Sequence, residues 1–231
     1  MPSHSRTVVA IIPALNEEMS VGMVIDAMPT LVNHIVVVDN GSTDATANIA
    51  RAHGANVCSE PRRGYGQACL AGIAYAASFN PDTILFVDAD FSDNPLDIEF
   101  VLTPVNNNEA DLVIGSRLRG SRERGSLTPP QVFGNWLATR LIRLFWGERF
   151  TDLGPLRAIR WDVLQQMKMS DTTFGWTVEM QIKAARMHLR CVEVPVNYRR
   201  RIGTSKISGT VKGTVLAGTK ILSTIASNVL R

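Results

Sequence analysis

The sequence predicts an α/β fold in which a mostly parallel sheet is flanked by helices. Two observations lead to this prediction. Short runs of apolar, often β-branched residues alternate with longer segments of helical period, which is typical of βαβ units. At 231 residues and 45% hydrophobic content, the chain is also long enough to bury one large core. Sheets of this kind bury both faces and bind ligands beyond the carboxyl ends of their strands.

The first half of the chain carries the regular part of the pattern. Each apolar run is short enough for a single strand, and each intervening segment is long enough for two or more turns of helix. The predicted strands cover residues 7–12, 35–38, 56–58, 83–87 and 111–114, and the predicted helices cover 18–28, 43–53, 66–78 and 96–107.

The alternation ends after residue 114. The stretch GSRLRGSRERGSLTPP, residues 115–130, is rich in Gly, Ser and Arg and predicts a mobile loop. Helices are predicted over 131–146 and 176–188, an irregular stretch over 151–161, a strand over 190–198 and a basic amphipathic C-terminal helix over 207–231.

Composition argues against several classes of protein. The three scattered cysteines, Cys58, Cys69 and Cys191, form no CxxC pair, which predicts free thiols and a cytoplasmic protein. No histidine cluster has the spacing of zinc ligands, and no apolar run reaches the roughly 18 residues of a membrane span. Residues 1–193 carry 17 basic against 21 acidic residues and show no aromatic–basic pattern, so nucleic acid is not an expected partner.

Two carboxylates directly follow the fourth predicted strand, in ILFVDADFSDNP at residues 84–95. If the extended geometry continues, Asp88, Asp90 and Ser92 point to the same side, which brings two like charges together. Three explanations are open: an acid–base carboxylate pair, solvation at a strand end, and a divalent cation bound together with a substrate diphosphate. Acidic residues also follow the first strand (PALNEE) and the second strand (VDNGSTD), which favours the cation.

These motifs carry a family resemblance. The series IIPALNEE, VVVDNGSTDAT, GYGQACLAGIAYA, ILFVDADFSDNP, LVIGSR, DLGPLRAIRWDVL and VEVPVNYRRRIGTSKISG resembles the family 2 glycosyltransferases of GT-A fold. Within that family it is most similar to the dolichyl- and polyprenyl-phosphate mannosyl- and glucosyltransferases. The resemblance implies a GT-A domain over residues 1–206, with a nucleotide-sugar half of about 1–116 and an acceptor half of about 117–206.

The resemblance also implies an activity and a site. The activity is the inverting, metal-dependent transfer of one hexose from a UDP- or GDP-sugar to a polyprenyl or dolichyl phosphate. Asp88 and Asp90 would bind Mg²⁺ or Mn²⁺, Asp90 and Arg117 would act in catalysis, and Arg117, Arg201 and Lys206 would face phosphates. The donor nucleotide-sugar would contact Pro13, Ala14, Leu15, Glu17, Asp39, Gly64, Gln67, Asp88, Ala89 and Asp90.

The sequence departs from the family's pattern at three positions. Ser92 stands where a Gln is usual, which puts one metal contact in doubt. Asn40 replaces the second acid of the usual DDGS motif. Leu15 replaces a frequent aromatic, so stacking on the nucleotide base is not expected there. The QxxRW motif of processive synthases is absent, which is why transfer of a single sugar is expected.

The acceptor decides whether a general base is required. A phosphate monoester, whose second pKa is near 6, is already a competent nucleophile at neutral pH. A hydroxyl acceptor would need a base, and Asp152 and Glu179 are the candidates. For Asp152, a loop cap or an ion pair with Arg157 is an equally good explanation, and Glu179 is better explained as structural.

Two other functions were weighed. A nucleotidylyltransferase shares the parallel sheet and the metal-binding acid, but here the first strand leads into the acidic PALNEE and not into a Gly-rich basic loop. A nucleotide-binding module without activity is the other alternative. The intact Asp88 and Asp90, together with Arg117 and Lys206, argue against it.

The C-terminal segment stands apart in charge. After Glu193 the chain contains no acid, and its seven basic residues include Lys206, Lys212 and Lys220. We expect a helix that either packs on the domain or attaches the enzyme peripherally to an anionic membrane surface. At 100° per residue on this helix, one apolar stripe contains Ile207, Val211, Val215, Ile221, Leu222, Ile225 and Val229.

The sequence leaves open whether the chain forms a homo-oligomer.

Overall fold

A seven-stranded sheet forms the centre of the molecule, with the strand order β3-β2-β1-β4-β6-β5-β7. The computed structural model describes residues 6–203 and 211–229. The strands are β1 (Val8–Ala14), β2 (His34–Asp39), β3 (Asn56–Ser59), β4 (Thr83–Phe86), β5 (Leu112–Ser116), β6 (Arg157–Arg160) and β7 (Cys191–Pro195). The helices are α1 (Val21–Asp26), α2 (Thr46–Ala52), α3 (Tyr65–Ala76), α4 (Ile98–Asn106), α5 (Pro129–Trp146), α6 (Trp161–Met167), α7 (Trp176–Arg186) and α8 (Val211–Val229).

The predicted, mostly parallel sheet is confirmed. β1 pairs in parallel with both β2 and β4, β2 pairs with β3, and β5 pairs with β7. From β1 the chain proceeds outward through β2 and β3 and then returns to form β4 on the other side of β1. The switch point of the sheet therefore lies between β1 and β4, and ligands of such sheets bind beyond the carboxyl ends of these strands.

One strand and one helix were not predicted. β6 runs antiparallel between β4 and β5, within the stretch that was predicted to be irregular, and α6 follows it directly. The strand is only RAIR in sequence, with a charged residue at each end of two apolar ones. Its pairing partners are distant in sequence, so local patterning gives little sign of it.

Apolar residues of each central strand alternate between two cores, one on each face of the sheet. Val9 and Ile11 of β1 face a core that includes residues from α3, α5, α6, α7 and α8. Val8, Ala10 and Ile12 face a second core formed mainly with α1 and α4.

The acidic stretch after β4 differs from its predicted geometry. β4 ends at Phe86, and the chain turns at Ala89 and Asp90 instead of continuing as a strand. Phe91 has a left-handed φ of 60°, and the Asp90 carboxylate accepts hydrogen bonds from the backbone N–H and hydroxyl of Ser92. The positions of the Asp88 and Asp90 carboxylates are therefore set by a turn and not by the alternation of side chains along a strand.

The C-terminal helix α8 packs against α5 and α7. Ile225 is buried in the core and Ile221 is partly buried, but Val215, Leu222 and Val229 are exposed, so the predicted stripe is not buried as one face. The buried side of α8 includes Thr224, because helix packing and not apolar periodicity alone sets its rotation. Ile207 and Lys206 lie outside the described residues. In the described part of the chain, no helix combines the length and apolar content needed to cross a bilayer.

Candidate active site

A cavity of about 340 Å³ lies at the switch point, beyond the carboxyl ends of β1 and β4. We call it the donor-side cavity. Asn40, Arg63, Tyr65 and Phe174 also contribute to its wall. The structure brings together there eight of the ten residues that the resemblance assigned to the donor: Pro13, Ala14, Leu15, Glu17, Gly64, Asp88, Ala89 and Asp90.

The other two residues assigned to the donor, Asp39 and Gln67, do not line this cavity. The Asp39 carboxylate accepts a hydrogen bond from the backbone N–H of Ser42 at 3.0 Å. The Gln67 side-chain amide donates to the Glu60 carboxylate at 3.0 Å. Both side chains thus stabilise loops beside the cavity in this structure.

Asn40 has a structural role that its departure from the family's pattern did not suggest. Its buried side-chain NH₂ donates to the backbone carbonyls of Glu60 and Arg62, at 2.9 and 2.7 Å. Its side-chain carbonyl accepts from the backbone N–H of Gly64 at 2.8 Å. A carboxylate has no proton to donate to the two carbonyls, so an amide is required to hold the loop this way.

Gly64 lies where two segments approach closely. Its φ is 150°, and a Cβ at this position would come within 2.2 Å of the Thr172 carbonyl oxygen. The first turn of α3 contacts the same segment, because the backbone N–H of Gln67 donates to the Thr172 carbonyl at 2.9 Å. The start of α3 is thereby fixed against the loop that precedes α7, and this loop carries Phe174 into the donor-side cavity.

The acidic turn concentrates buried carboxyl groups. Burial, together with the charge of Asp90, raises the pKa of Asp88 to about 7, although the Tyr65 hydroxyl donates to Asp88 at 3.1 Å. Burial, followed by the charges of Asp88 and Asp90, raises the pKa of Asp93 as well. The Asp93 Oδ1 atom is buried and has no hydrogen-bond partner among the described residues. The turn thus brings three carboxyl groups together in a buried position.

The turn fits a divalent cation that is shared with a substrate. No group of three or more potential metal-ligating side chains occurs within residues 6–203 and 211–229. Asp88 and Asp90 alone would therefore supply the protein ligands, and oxygen atoms of a diphosphate and water would complete the coordination that Mg²⁺ or Mn²⁺ prefers.

Arg201 connects the acidic turn to the loop after β1. Its guanidinium lies 2.6 Å from a Glu17 carboxylate oxygen and 3.1 Å from Asp90 Oδ2. The backbone supports this position, since the N–H of Ile202 donates to the Asp90 carbonyl at 2.9 Å. The segment that carries Arg201 thus crosses the acidic turn. Lys206, the other predicted phosphate contact of this segment, lies outside the described residues.

A second cavity, of about 600 Å³, meets the first at the acidic turn. We call it the acceptor-side cavity. Asp88, Asp90 and Arg201 line both cavities. The second is also lined by the polar residues Arg117, Tyr198 and Arg200 and by the small or apolar residues Gly134, Leu153, Pro155, Ala217, Gly218 and Ile221.

Arg117 reaches this cavity through a buried ion pair. Its Nε and Nη2 atoms donate to the two carboxylate oxygens of Asp152 at 2.8 and 2.7 Å, and its backbone N–H donates at 2.8 Å. The guanidinium carbon also lies 5.1 Å from the ring centroid of Tyr198. Burial alone would lower the pKa of Arg117, but the Asp152 carboxylate outweighs it and raises this pKa.

The position of Asp152 gives no support to its predicted role as a general base. Its side chain is fully buried and lines neither cavity. The alternative pairing with Arg157 is not observed: Asp152 pairs with Arg117, and the Arg157 guanidinium donates to the carbonyls of Leu153, Gly154 and Thr177. Glu179 accepts hydrogen bonds from residues 170 and 171 and pairs with Lys183 at 2.8 Å, which is the structural role predicted for it.

Sequence reasoning missed several residues of the site. Tyr65 contacts the acidic turn, Tyr198 lies against Arg117, and Phe174 lines the donor-side cavity. The run YRRR after β7 offered one signal for Tyr198. No local pattern indicated Phe174, because its place depends on the packing of its loop against the start of α3.

The fold and the site define a class of enzyme. A parallel sheet with a cavity at its switch point, a carboxylate turn and converging arginines is suited to an anionic nucleotide ligand and a divalent cation. The model of the family described as "Glycosyl transferase family 2" matches residues 9–168. The chain belongs to this family and is a glycosyltransferase, and the predicted GT-A fold is confirmed.

Relatives and solved structures agree with this assignment. An uncharacterised glycosyltransferase of Mycobacterium tuberculosis is 35% identical over 213 residues, which cover 91% of this chain and 94% of the relative. The undecaprenyl-phosphate mannosyltransferase of Micrococcus luteus is 30% identical over 221 residues, which cover 89% of each chain. Glucosyl-3-phosphoglycerate synthase of M. tuberculosis, in complex with Mn²⁺, UDP and phosphoglyceric acid, has a TM-score of 0.77 at 23% identity and covers 97% of this chain and 78% of that one.

Proposed function

We propose that this glycosyltransferase transfers a single hexose, with inversion, from a UDP- or GDP-sugar to a polyprenyl or dolichyl phosphate, and that it requires Mg²⁺ or Mn²⁺. One observation carries the acceptor class. In the described part of the chain, the acceptor-side cavity contains three arginines, and the only carboxylates that line it are Asp88 and Asp90. A cavity of this kind suits an anionic nucleophile that needs no general base.

On the donor side, the nucleotide-sugar lies along the loop after β1, with its diphosphate toward Asp88 and Asp90. A cation bound there neutralises charge on the leaving diphosphate. Arg201 adds positive charge at the same place, since it already lies beside Asp90. The UDP and Mn²⁺ complexes of glucosyl-3-phosphoglycerate synthase, which has the same fold, support this arrangement.

On the acceptor side, the phosphate lies near Arg117 and Arg200. The ion pair with Asp152 fixes the Arg117 side chain, so this cation is oriented before the acceptor arrives. The wall formed by Leu153, Pro155 and Ile221 is apolar and suits the first prenyl units. The undecaprenyl-phosphate mannosyltransferase among the relatives supports a lipid acceptor.

A soluble phosphorylated acceptor is the second candidate. The structural neighbour that was crystallised with phosphoglyceric acid favours it. The same arginines would bind the phosphate of a small metabolite, and the apolar wall would then have no partner in the substrate.

A combined donor and acceptor screen tests the proposal. Purified protein with Mn²⁺ is offered UDP- and GDP-hexoses, each with a short-chain prenyl phosphate, the matching prenol, or 3-phosphoglycerate. We expect a glycosylated prenyl phosphate, no product from the prenol, and loss of the reaction in Asp90→Asn. Product from 3-phosphoglycerate alone would establish the second candidate instead, and product from the prenol would show that a hydroxyl can attack.

A further inference from the structure

The helices α5 and α8, which pack against each other, expose an unusual amount of apolar surface. They carry more than half of the large apolar side chains that are exposed among the described residues. Single exposed apolar residues are ordinary, but a concentration of them on adjoining helices indicates an interaction surface. We call it the α5–α8 surface, and its residues are Phe133, Trp136, Leu144 and Phe145 of α5 and Val215, Leu216, Leu222 and Val229 of α8.

On α5, three of the four exposed apolar residues form one face together with Arg140. Phe133, Trp136, Arg140 and Leu144 are three or four residues apart, so they lie on one side of the helix. The rings of Phe133 and Trp136 are 5.9 Å apart, and the Arg140 guanidinium lies 5.9 Å from the Trp136 ring centroid. An apolar body with a basic rim is the pattern of a helix that lies in a membrane interface.

On α8, the exposed line has a spacing of seven residues. Val215, Leu222 and Val229 recur at this interval and therefore lie along one edge of the helix. The opposite side of the same helix is engaged inside the protein, where Thr224 is buried and Lys220 pairs with Asp171 at 2.8 Å, and Ile225, which flanks the exposed line, is also buried. The helix thus packs and exposes apolar surface at the same time.

The charge of α5 and α8 favours an anionic membrane over a second copy of the chain as the partner of this surface. Neither α5 nor α8 contains an acidic residue, and Arg140 and Arg143 of α5 are exposed. A second copy of the chain, paired about a two-fold axis, would place these arginines opposite the same two helices, on which no acid is available to neutralise them. Anionic lipid headgroups supply the missing negative charge.

We propose that the α5–α8 surface is a bilayer-contacting face that inserts Phe133, Trp136 and Leu144 at the headgroup level of an anionic membrane. The evidence for membrane contact is the set of exposed residues and does not depend on the acceptor. The reason for such contact rests on the proposed function, because Gly134 of α5 and Gly218 of α8 border the acceptor-side cavity. A lipid phosphate could then reach Arg117 while its chain remains close to the bilayer.

Vesicle sedimentation tests the proposal on the full-length chain. Vesicles of phosphatidylcholine alone are compared with vesicles that also contain phosphatidylglycerol. The test variant is Phe133→Ser with Leu144→Ser, whose side chains are 61% and 72% exposed. The matched control is Phe100→Ser with Leu96→Ser, 61% and 78% exposed but located at α4 and the turn before it. A third variant, Arg140→Gln with Arg143→Gln, removes charge only.

We expect the wild type and the control to sediment with anionic vesicles. Phe133→Ser with Leu144→Ser and Arg140→Gln with Arg143→Gln should each reduce partitioning to these vesicles roughly tenfold or more. No binding by the wild type, equal binding to neutral and anionic vesicles, or equal losses in test and control variants would overturn the proposal. A wild-type dimer that Phe133→Ser with Leu144→Ser dissociates, without vesicle binding, would overturn it in favour of a subunit interface. Donor-induced thermal stabilisation and transfer to the water-soluble short-chain prenyl phosphate, measured in the same variants, report the proposed function separately from membrane contact.

Discussion

Arg117 and Asp152 form a two-point ion pair in which both carboxylate oxygens of the buried Asp152 accept hydrogen bonds from one guanidinium. The partners are 35 residues apart in sequence, at the end of β5 and before β6. Because Asp152 faces Arg117 and lines neither cavity, we propose that it acts on the reaction only through the arginine. In this proposal Asp152 is a positioning residue.

The first prediction concerns stability. Asp152→Asn should lower the free energy of unfolding by about 3 kcal/mol, because it leaves the Arg117 guanidinium, whose side chain is only 13% exposed, without a compensating charge. Chemical denaturation measures the change. The control is Asp162→Asn, which removes the more exposed pair with Arg160 and should cost about 1 kcal/mol or less. Equal losses in the two variants would mean that the buried pair does not stabilise the fold as described.

The second prediction concerns the pH dependence of transfer in the same variant. If Asp152 were the general base, Asp152→Asn would remove the acidic limb of the kcat/KM profile. A positioning role predicts a lower rate with that limb retained, because ionisation of the acceptor phosphate near pH 6 produces it. The profile should be measured with a prenyl phosphate acceptor. Loss of the limb would assign the base role to Asp152 after all.

The third prediction concerns the metal. Asp90→Asn should reduce turnover by roughly a hundredfold or more and weaken Mn²⁺ binding in the presence of UDP. Asp93→Asn is the matched control, because Asp93 belongs to the same acidic turn but lines neither cavity. Electron paramagnetic resonance of Mn²⁺ measures binding without relying on activity. Full turnover in both EDTA and Asp90→Asn would refute the metal site.

The fourth prediction concerns Arg201, which pairs with Asp90 and Glu17 in the structure. Arg201→Gln should strengthen Mn²⁺ binding in the absence of nucleotide, because a competing cation is removed from Asp90. The same change should weaken binding of a nucleoside diphosphate. Each effect should be about fivefold, the size expected of a partly exposed ion pair worth about 1 kcal/mol.

Titration calorimetry measures both affinities, and Arg200→Gln serves as the control. Arg200 has the same charge, but its side chain donates to the Arg124 carbonyl and not to the acidic turn. If the two variants behave alike, the effect is one of general charge and Arg201 does not compete with the metal.

The sequence predicted the central strands and the two carboxylates at the end of β4 because both are local patterns, although it did not predict the turn that presents them. The apolar runs of β1, β2 and β4 are buried on both faces, and Asp88 and Asp90 directly follow one of them. β6 was missed because its identity depends on pairing with β4 and β5, which are distant in sequence.

The same distinction explains the errors in the site. The sequence offered Arg157 as the partner of Asp152 because it is near in the chain, whereas the observed partner is 35 residues away. Asn40 was treated as the loss of an acid, but its amide holds the carbonyls of Glu60 and Arg62. Such roles depend on which backbone groups the tertiary fold brings within hydrogen-bond distance, and a linear pattern does not contain that information.

The last prediction concerns the aromatic surface of the donor-side cavity. Leu15 does not provide the aromatic that the family often has at this position, but Phe174 lines the same cavity from another loop. That loop is held in place, since Asp171 accepts hydrogen bonds from the backbone N–H groups of Thr173 and Gly175 at 2.7 and 3.1 Å. An aromatic ring fixed in this way can stack on a nucleotide base at little cost in conformational entropy.

We therefore expect Phe174→Ala to weaken donor binding by roughly tenfold or more, the range of base–aromatic stacking, while Phe174→Tyr retains most of the affinity. The donor KM and kcat should be determined separately, and kcat should change less. Tyr75→Ala, on the exposed side of α3 and away from both cavities, is the control for loss of an aromatic. A change confined to the acceptor KM would place Phe174 on the acceptor instead, because a ring stacked on the donor base cannot be removed without cost to donor affinity.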